Sequence, residues 1–231
     1  MSRSSLIICL FIFLSLICNN IQAQDRANPE QYRDINTATG SPSRGEERVV
    51  FMGNSITEGW KLVSPGFFSS RPYINRGISG QTTPQMLSRF RTDVISVRPA
   101  AVVILAGTND IAGSTDPATL KRVENNLVSM AEMARENGIK VILCSVLPVH
   151  DFPWYPDSNP DKGIPVLNSM IKSYAEKNGF IYLDYFSSMV DERNGLKDEY
   201  TYDGIHPNKA GYKIMEPLAE KAIEKALIEY R

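Results

Sequence analysis

Three short stretches of this chain, residues 49–52, 101–106 and 141–146, are almost wholly apolar, and each gives way at once to turn-forming residues. A strand with only one buried face alternates apolar and polar side chains. A short continuous run belongs to a strand covered on both faces, which is the condition of a parallel sheet inside an α/β fold. Between these runs lie stretches of helical period. Leu87, Phe90, Val94 and Val97 share one face, as do Leu120, Val123, Leu127, Met130, Ala131 and Ala134. Residues 73–75 and 180–183 read as two further brief strands, residues 166–177 as a helix, and residues 209–230 as a last amphipathic helix bent at Pro217. Strands and helices alternate, so the expectation is one α/β domain, with a parallel sheet of about five strands between two helical layers.

The remaining segments are read by composition. Residues 1–23 have Arg3 near the start, an apolar core at residues 6–17 and small Ala23 at the end, the pattern of a secretory signal peptide cut after Ala23. A lipoprotein signal ending at Cys18 is the rival, poorly suited by bulky Ile17. Either reading puts the mature chain outside the cytoplasm; cleavage after Ala23 leaves it secreted or periplasmic with no stable membrane insertion, whereas lipidation at Cys18 would anchor it. Residues 24–47 are polar, contain Gly40, Pro42 and Gly45, and read as an extended arm leading into a domain over residues 48–231. Without the leader, Cys144 is the one cysteine left, so no intramolecular disulfide forms and Cys144 reads as a small core residue. The remaining 24 basic side chains against 26 acidic ones, with no basic block, exclude nucleic acid and anionic membrane as partners.

Residues that can carry chemistry fall just beyond the strands or near the start of the last helix. Gly53 and Asn54 end the first run by tolerating a tight turn, and Ser55 follows, where a strand hands over to a helix and ligands bind in open α/β sheets. Ser55 could simply cap that helix. Gly80 offers an N–H unobstructed by a side chain, and Asn109 a side-chain amide. Both could equally be turn formers. Thr83 reads as the cap of the helix that has Pro84 at its first position. Only two histidines exist, His150 and His206, and His206 has Asp203 three residues before it. That spacing lets the carboxylate accept a hydrogen bond from one imidazole N–H across a turn while the other nitrogen serves as a base for a serine. With the N–H of Ser55, Gly80 and Asn109 make three donors that could face a developing oxyanion.

Four blocks taken in order resemble those of the SGNH (GDSL-like) serine hydrolases, of the secreted acylhydrolase type. They are Gly53-Asn54-Ser55, Gly80 within residues 75–80, Gly107-Thr108-Asn109-Asp110, and Asp203-Gly204-Ile205-His206. The resemblance spans residues 48–211 and implies a flavodoxin-like three-layer fold and an esterase with neither metal nor cofactor. It implies Ser55 as nucleophile, His206 as base, Asp203 as its orienter, and Ser55, Gly80 and Asn109 as the oxyanion hole. Asn54 departs from the pattern, since the family most often has aspartate there.

The expected substrate is a small-molecule or oligosaccharide ester, with a short acyl group such as acetyl on a carbohydrate. The loop of residues 151–161 mixes Trp154 and Tyr155 with Asp157, Ser158 and Asn159, which suits a sugar better than an acyl chain. Trp60, Trp154 and Tyr155 themselves read as packing residues or loop anchors. The main rival is a lysophospholipase or lipase-like esterase with an apolar wall of Phe67, Phe68 and Phe152. Two others are a non-catalytic carbohydrate-binding domain and a metal-dependent deacetylase using His150, Asp151, Asp203 and His206. A nucleotide site is excluded, because no glycine-rich phosphate loop follows the first strand.

Overall fold

A computed structural model describes residues 31–228. The signal peptide and the start of the arm therefore lie outside the described residues. Five parallel strands, β1 (Val49–Gly53), β2 (Tyr73–Gly77), β3 (Ala101–Leu105), β4 (Lys140–Cys144) and β5 (Ile181–Leu183), form one sheet in the order β2-β1-β3-β4-β5. In this order the chain reverses direction between β1 and β3, leaving a crevice beyond their carboxyl ends.

Every residue of β1 and β3 is buried, as their unbroken apolar character requires. The two faces divide the core between them. Helices α4 (Thr83–Asp93), α6 (Pro117–Glu136) and α7 (Pro160–Asn178) cover one face, packing Met86, Phe90, Val123, Met130 and Leu167 on Val50, Met52, Val102 and Ile104. Helices α2 (Ser55–Val63), α3 (Pro65–Ser69), α8 (Phe186–Met189) and α9 (Lys209–Ile228) cover the other, packing Trp60, Phe67, Met189 and Tyr212 on Phe51, Val103 and Cys144. Cys144 is buried as expected, and burial pushes its thiol well above the ordinary range. Trp60 is likewise a core residue, stacked between Phe67 at 4.9 Å and Tyr212 at 5.5 Å.

Several local readings need correction. The arm is not simply extended: it contains helix α1 (Arg33–Thr39), docked on the domain by polar contacts. The Tyr32 hydroxyl donates to the Gly77 carbonyl at 2.7 Å, and the Asn36 amide donates to Asp93 Oδ1 at 2.6 Å. Helix α7 begins at Pro160, six residues before the expected start, because Pro160 sits where a missing N–H costs nothing. Thr82, not Thr83, is the cap of α4, and its N–H donates to Gln85 Oε1 at 2.9 Å. The last helix, by contrast, is a single element with Pro217 inside it, as expected.

Candidate active site

Gly53 ends β1 for a reason other than turn geometry. A Cβ there would stand 2.0 Å from Thr57 Oγ1 and 2.8 Å from the Leu105 carbonyl, so only glycine lets α2 start directly over the strand end. Asn54 is the cap of that helix, with its side-chain oxygen accepting from the Ile56 N–H at 3.0 Å. The neutral amide therefore does the capping that a carboxylate would do, and Ser55 is released from it. Ser55 occupies the first helical position, where its N–H is among the leading donors that a helix leaves unpaired.

The Ser55 hydroxyl points across the crevice to His206, with Oγ 3.0 Å from Nε2. His206 Nδ1 lies 2.7 Å from Asp203 Oδ2, so an Nδ1–H tautomer donates there and leaves Nε2 free to accept from Ser55. Asp203 is held in turn by its own loop. Its Oδ1 accepts from the N–H groups of Ile205 at 3.0 Å and His206 at 2.8 Å. Partial burial opposes its ionisation, but these donors and the imidazole outweigh it and hold the carboxyl below its usual range. Thr201 braces the same turn, donating to the His206 carbonyl and accepting from the N–H groups of Asp203 and Gly204. Tyr212, from the helix that follows, donates its hydroxyl to the Ile56 carbonyl at 2.8 Å, pinning α9 to the turn of Ser55.

Gly80 and Asn109 reach the rim from the neighbouring loops. Gly80 is exposed, has φ +78°, and a Cβ would meet nothing within 4 Å. Backbone conformation, not crowding, reserves that position for glycine. Asn109 stands on the short helix α5 (Thr108–Ala112), and its Nδ2 donates to the Gln81 carbonyl at 2.9 Å. One amide hydrogen is thus spent on fixing the side chain against the Gly80 loop, and one remains. Asp110 has a structural task, accepting from both the N–H and the hydroxyl of Thr83. Burial pushes its carboxyl above the ordinary value despite those donors.

The structure thus brings Ser55, His206 and Asp203 into one hydrogen-bonded row. His150 stays apart: its ring meets the Arg193 carbonyl, and the described residues include no group of three or more His, Cys, Asp or Glu that could hold a metal ion. Phe67, Phe68 and Phe152 are buried in the core and build no open apolar wall. Trp154 and Tyr155 are not packed in the core, being exposed at 60% and 50%, although the Trp154 ring lies 6.3 Å from that of Phe152; Tyr202 beside Asp203 is exposed at 68%. None of the described helices is long and apolar enough to cross a membrane. Sequence reasoning passed over Glu58, Gln81 and Arg89. Glu58 on α2 accepts from both the N–H and the hydroxyl of Ser79, next to Gly80. Arg89 and Asp93 are spaced as an i,i+4 pair, but that spacing is usually found on exposed helix faces.

Comparison with known proteins gives a family model and several relatives. The model of the GDSL-like lipase/acylhydrolase family matches residues 51–214. A solved structure of a GDSL-like lipase from Bacteroides thetaiotaomicron is 49% identical, with a TM-score of 0.82, over 87% of this chain and 99% of that one. The uncharacterized lipoprotein YqeF of Bacillus subtilis is 35% identical over 127 residues, 48% of this chain and 52% of its own length. An acetylxylan esterase of Xylanibacter ruminicola is 25% identical over 225 residues, 80% of this chain and 44% of that protein. The match thus spans about half the length of each of these two relatives.

Proposed function

Because this chain belongs to the GDSL-like lipase/acylhydrolase family, we propose that it is an exported carboxyl-ester hydrolase that removes short acyl groups, acetyl above all, from carbohydrate. The observation that carries the reading is the row Ser55 Oγ, His206 Nε2 and Nδ1, Asp203 Oδ2, with Asn54 rather than Ser55 capping α2. A serine kept only to cap a helix would turn its hydroxyl to the helix backbone.

In the reaction Ser55 Oγ attacks the ester carbonyl carbon as its proton passes to His206 Nε2. Asp203 keeps the Nδ1–H tautomer and balances the imidazolium that forms. The carbonyl oxygen becomes an oxyanion before the N–H groups of Ser55 and Gly80 and the second amide hydrogen of Asn109. Collapse expels the alcohol, which takes the proton from His206 and leaves an acyl-serine. A water molecule then gives its proton to Nε2 and attacks the acyl carbon; collapse breaks the bond to Ser55 Oγ, which takes the proton back from Nε2 as the acid leaves. The chain's own residues thus supply nucleophile, base and oxyanion donors, with no cofactor or metal assigned a role.

The acetyl-carbohydrate part rests on other observations. The three phenylalanines that would have lined a lipid groove are buried, while Trp154, Tyr155 and Tyr202 are exposed, and exposed aromatic side chains are groups on which sugar faces can stack. A relative is named an acetylxylan esterase. Export is supported by the leader pattern and by similarity to a protein named a lipoprotein. Mass spectrometry of the mature chain would tell cleavage after Ala23 from lipidation at Cys18.

The test is Ser55→Ala set beside the wild type on nitrophenyl acetate, butyrate and octanoate and on acetylated xylo-oligosaccharides. Activity should fall by about 10⁶-fold in the variant, with an unchanged far-UV spectrum. Substantial residual turnover would remove Ser55 as nucleophile. In the wild type, kcat/KM should fall beyond butyryl. A rise through octanoyl, worth up to about 0.8 kcal/mol for each buried methylene, would replace the acetyl reading with a lipase-like one.

A further inference from the structure

Arg89 lies beneath the rim, on α4, with its side chain wholly buried and ion-paired to the equally buried Asp93 at 2.7 Å. Its other bonds go to three separate pieces of the rim. Nε donates to Gln81 Oε1 at 2.6 Å, and Nη2 donates to the carbonyls of Gly53 at 3.1 Å and Arg76 at 2.9 Å. Gly53 is two residues before Ser55, and Gln81 is the residue after Gly80. We propose that Arg89 is a positioning residue that sets the spacing between the nucleophile Ser55 and the oxyanion donors Gly80 and Asn109, acting through the Gln81 side chain.

Gln81 is the link because both of its oxygens are engaged in the site. The side-chain oxygen holds Arg89, and the backbone carbonyl takes the Asn109 amide at 2.9 Å. Its Nε2 is buried with no protein partner, a costly arrangement if the side chain served only to fill space. What a glutamine adds there over an aliphatic side chain is the acceptor for Arg89. A guanidinium is planar with its donors fixed in a fork, so the acceptors it joins are held at set separations. A lysine ammonium at this position would keep the charge beside Asp93 but could not span the same three directions. The Gly53 carbonyl also accepts from the Ile78 N–H at 3.1 Å, so the strand end and the Gly80 loop meet at one oxygen that Arg89 holds.

This rests on Ser55, Gly80 and Asn109 having the roles proposed above, and the experiment separates the two. Arg89→Lys, Gln81→Met and the double variant would be compared with the wild type on nitrophenyl acetate. Each would be counted by active-site titration with an organophosphorus reagent, with melting followed by far-UV circular dichroism. Both single variants should lose about 10- to 100-fold in kcat per titrated site with little change in KM, as expected when reacting groups are misplaced by a fraction of their contact distance. The double variant should be no worse than Arg89→Lys alone. Should Arg89→Lys fail to fold, Gln81→Met carries the test by itself. A lowered melting point with wild-type kcat per titrated site would make the network structural only and overturn the proposal. Multiplying losses in the double variant would overturn the route through Gln81. Ser55→Ala is run alongside: activity surviving there would fail the hydrolase reading itself, whereas a dead Ser55→Ala beside unaltered Arg89→Lys and Gln81→Met would fail this inference alone.

Discussion

On one face of the sheet the core around the site is aromatic, and on the other it is chiefly aliphatic. Phe51, Trp60, Phe67, Phe68 and Tyr212 pack together beneath α2, α3 and α9, the helices next to Ser55 and His206. Val, Ile, Met and Ala dominate beneath α4 and α6, on the side of the sheet from which Gly80 and Asn109 are braced. The two halves of the site are fixed by different means. Ser55 and His206 are brought together by the flat stacking of Trp60 on Tyr212 and by the bond from Tyr212 to Ile56. Gly80 and Asn109 are held by bonds among Asn126, Thr83, Asp110, Gln81 and Arg89. Apolar packing tolerates small shifts, whereas hydrogen bonds fix direction. In the proposed reaction, two of the three oxyanion donors, Gly80 and Asn109, belong to the half whose supports are chiefly side-chain hydrogen bonds.

The largest single effect outside Ser55 should come from breaking the acid–base half at Asp203. Asp203→Asn should lower kcat by as much as about 10⁴-fold with KM nearly unchanged, because Asp203 orients the base and touches no substrate. Steady-state kinetics on an acetyl ester would decide it, and a raised KM with intact kcat would take that role from Asp203. Next comes the aromatic face itself. Trp60→Ala should destabilise the fold by about 3–5 kcal/mol in urea unfolding, the usual cost of removing a large buried ring. A loss below about 1 kcal/mol would mean that the stack fills space without holding α2 to α9. Somewhat smaller is the expected cost in the polar half, where Asn109→Ala should reduce kcat by about 10²–10³-fold, the size typical of one oxyanion donor. Near-normal kcat would return Asn109 to the role of a turn former.

The smallest effect concerns the anchoring of α6 and has a definite pH sign. Asp116 caps that helix, and its bonds from the Ser114 hydroxyl, the Thr119 N–H and the Thr119 hydroxyl bring its carboxyl down to about 2. Its folded value lies below that of the unfolded chain, about 3.9. The stabilisation is therefore complete above that unfolded value and is lost as pH falls through about 2. Thermal melts of wild type and Asp116→Ala should differ at pH 6 and converge toward pH 2. An equal gap at both pH values would detach the carboxylate charge from the anchoring.

Much of this was legible because the signals were local. Continuous apolar runs marked β1, β3 and β4. The apolar stripe of α6, from Leu120 to Ala134, is buried as its period requires. Asp203 and His206 lie three residues apart, so their pairing could be read from spacing alone. What stayed hidden depends on partners far along the chain. Gly53 looked like a turn glycine, and only Thr57 and Leu105 show why it cannot carry a Cβ. The start of α7 was obscured by Pro160, Gly163 and Pro165, residues that ordinarily argue against helix, although Gly163 is needed where Thr115 comes within 2.4 Å of a would-be Cβ. Arm residues Tyr32 and Asn36 show no apolar period, because they dock through hydrogen bonds to Gly77 and Asp93.

The bond between Ser55 and His206 joins residues 151 positions apart, and the one between Tyr212 and Ile56 spans 156. Closing a loop of that length costs more chain entropy than pairing strands that are near neighbours in sequence. Strand β1, Gly80 and Asn109 can be in place while His206, the proposed base, is still out of reach of Ser55. Recovery of turnover during refolding should therefore not outrun the docking of α9, and ester hydrolysis becomes a clock for that docking rather than for the formation of the sheet.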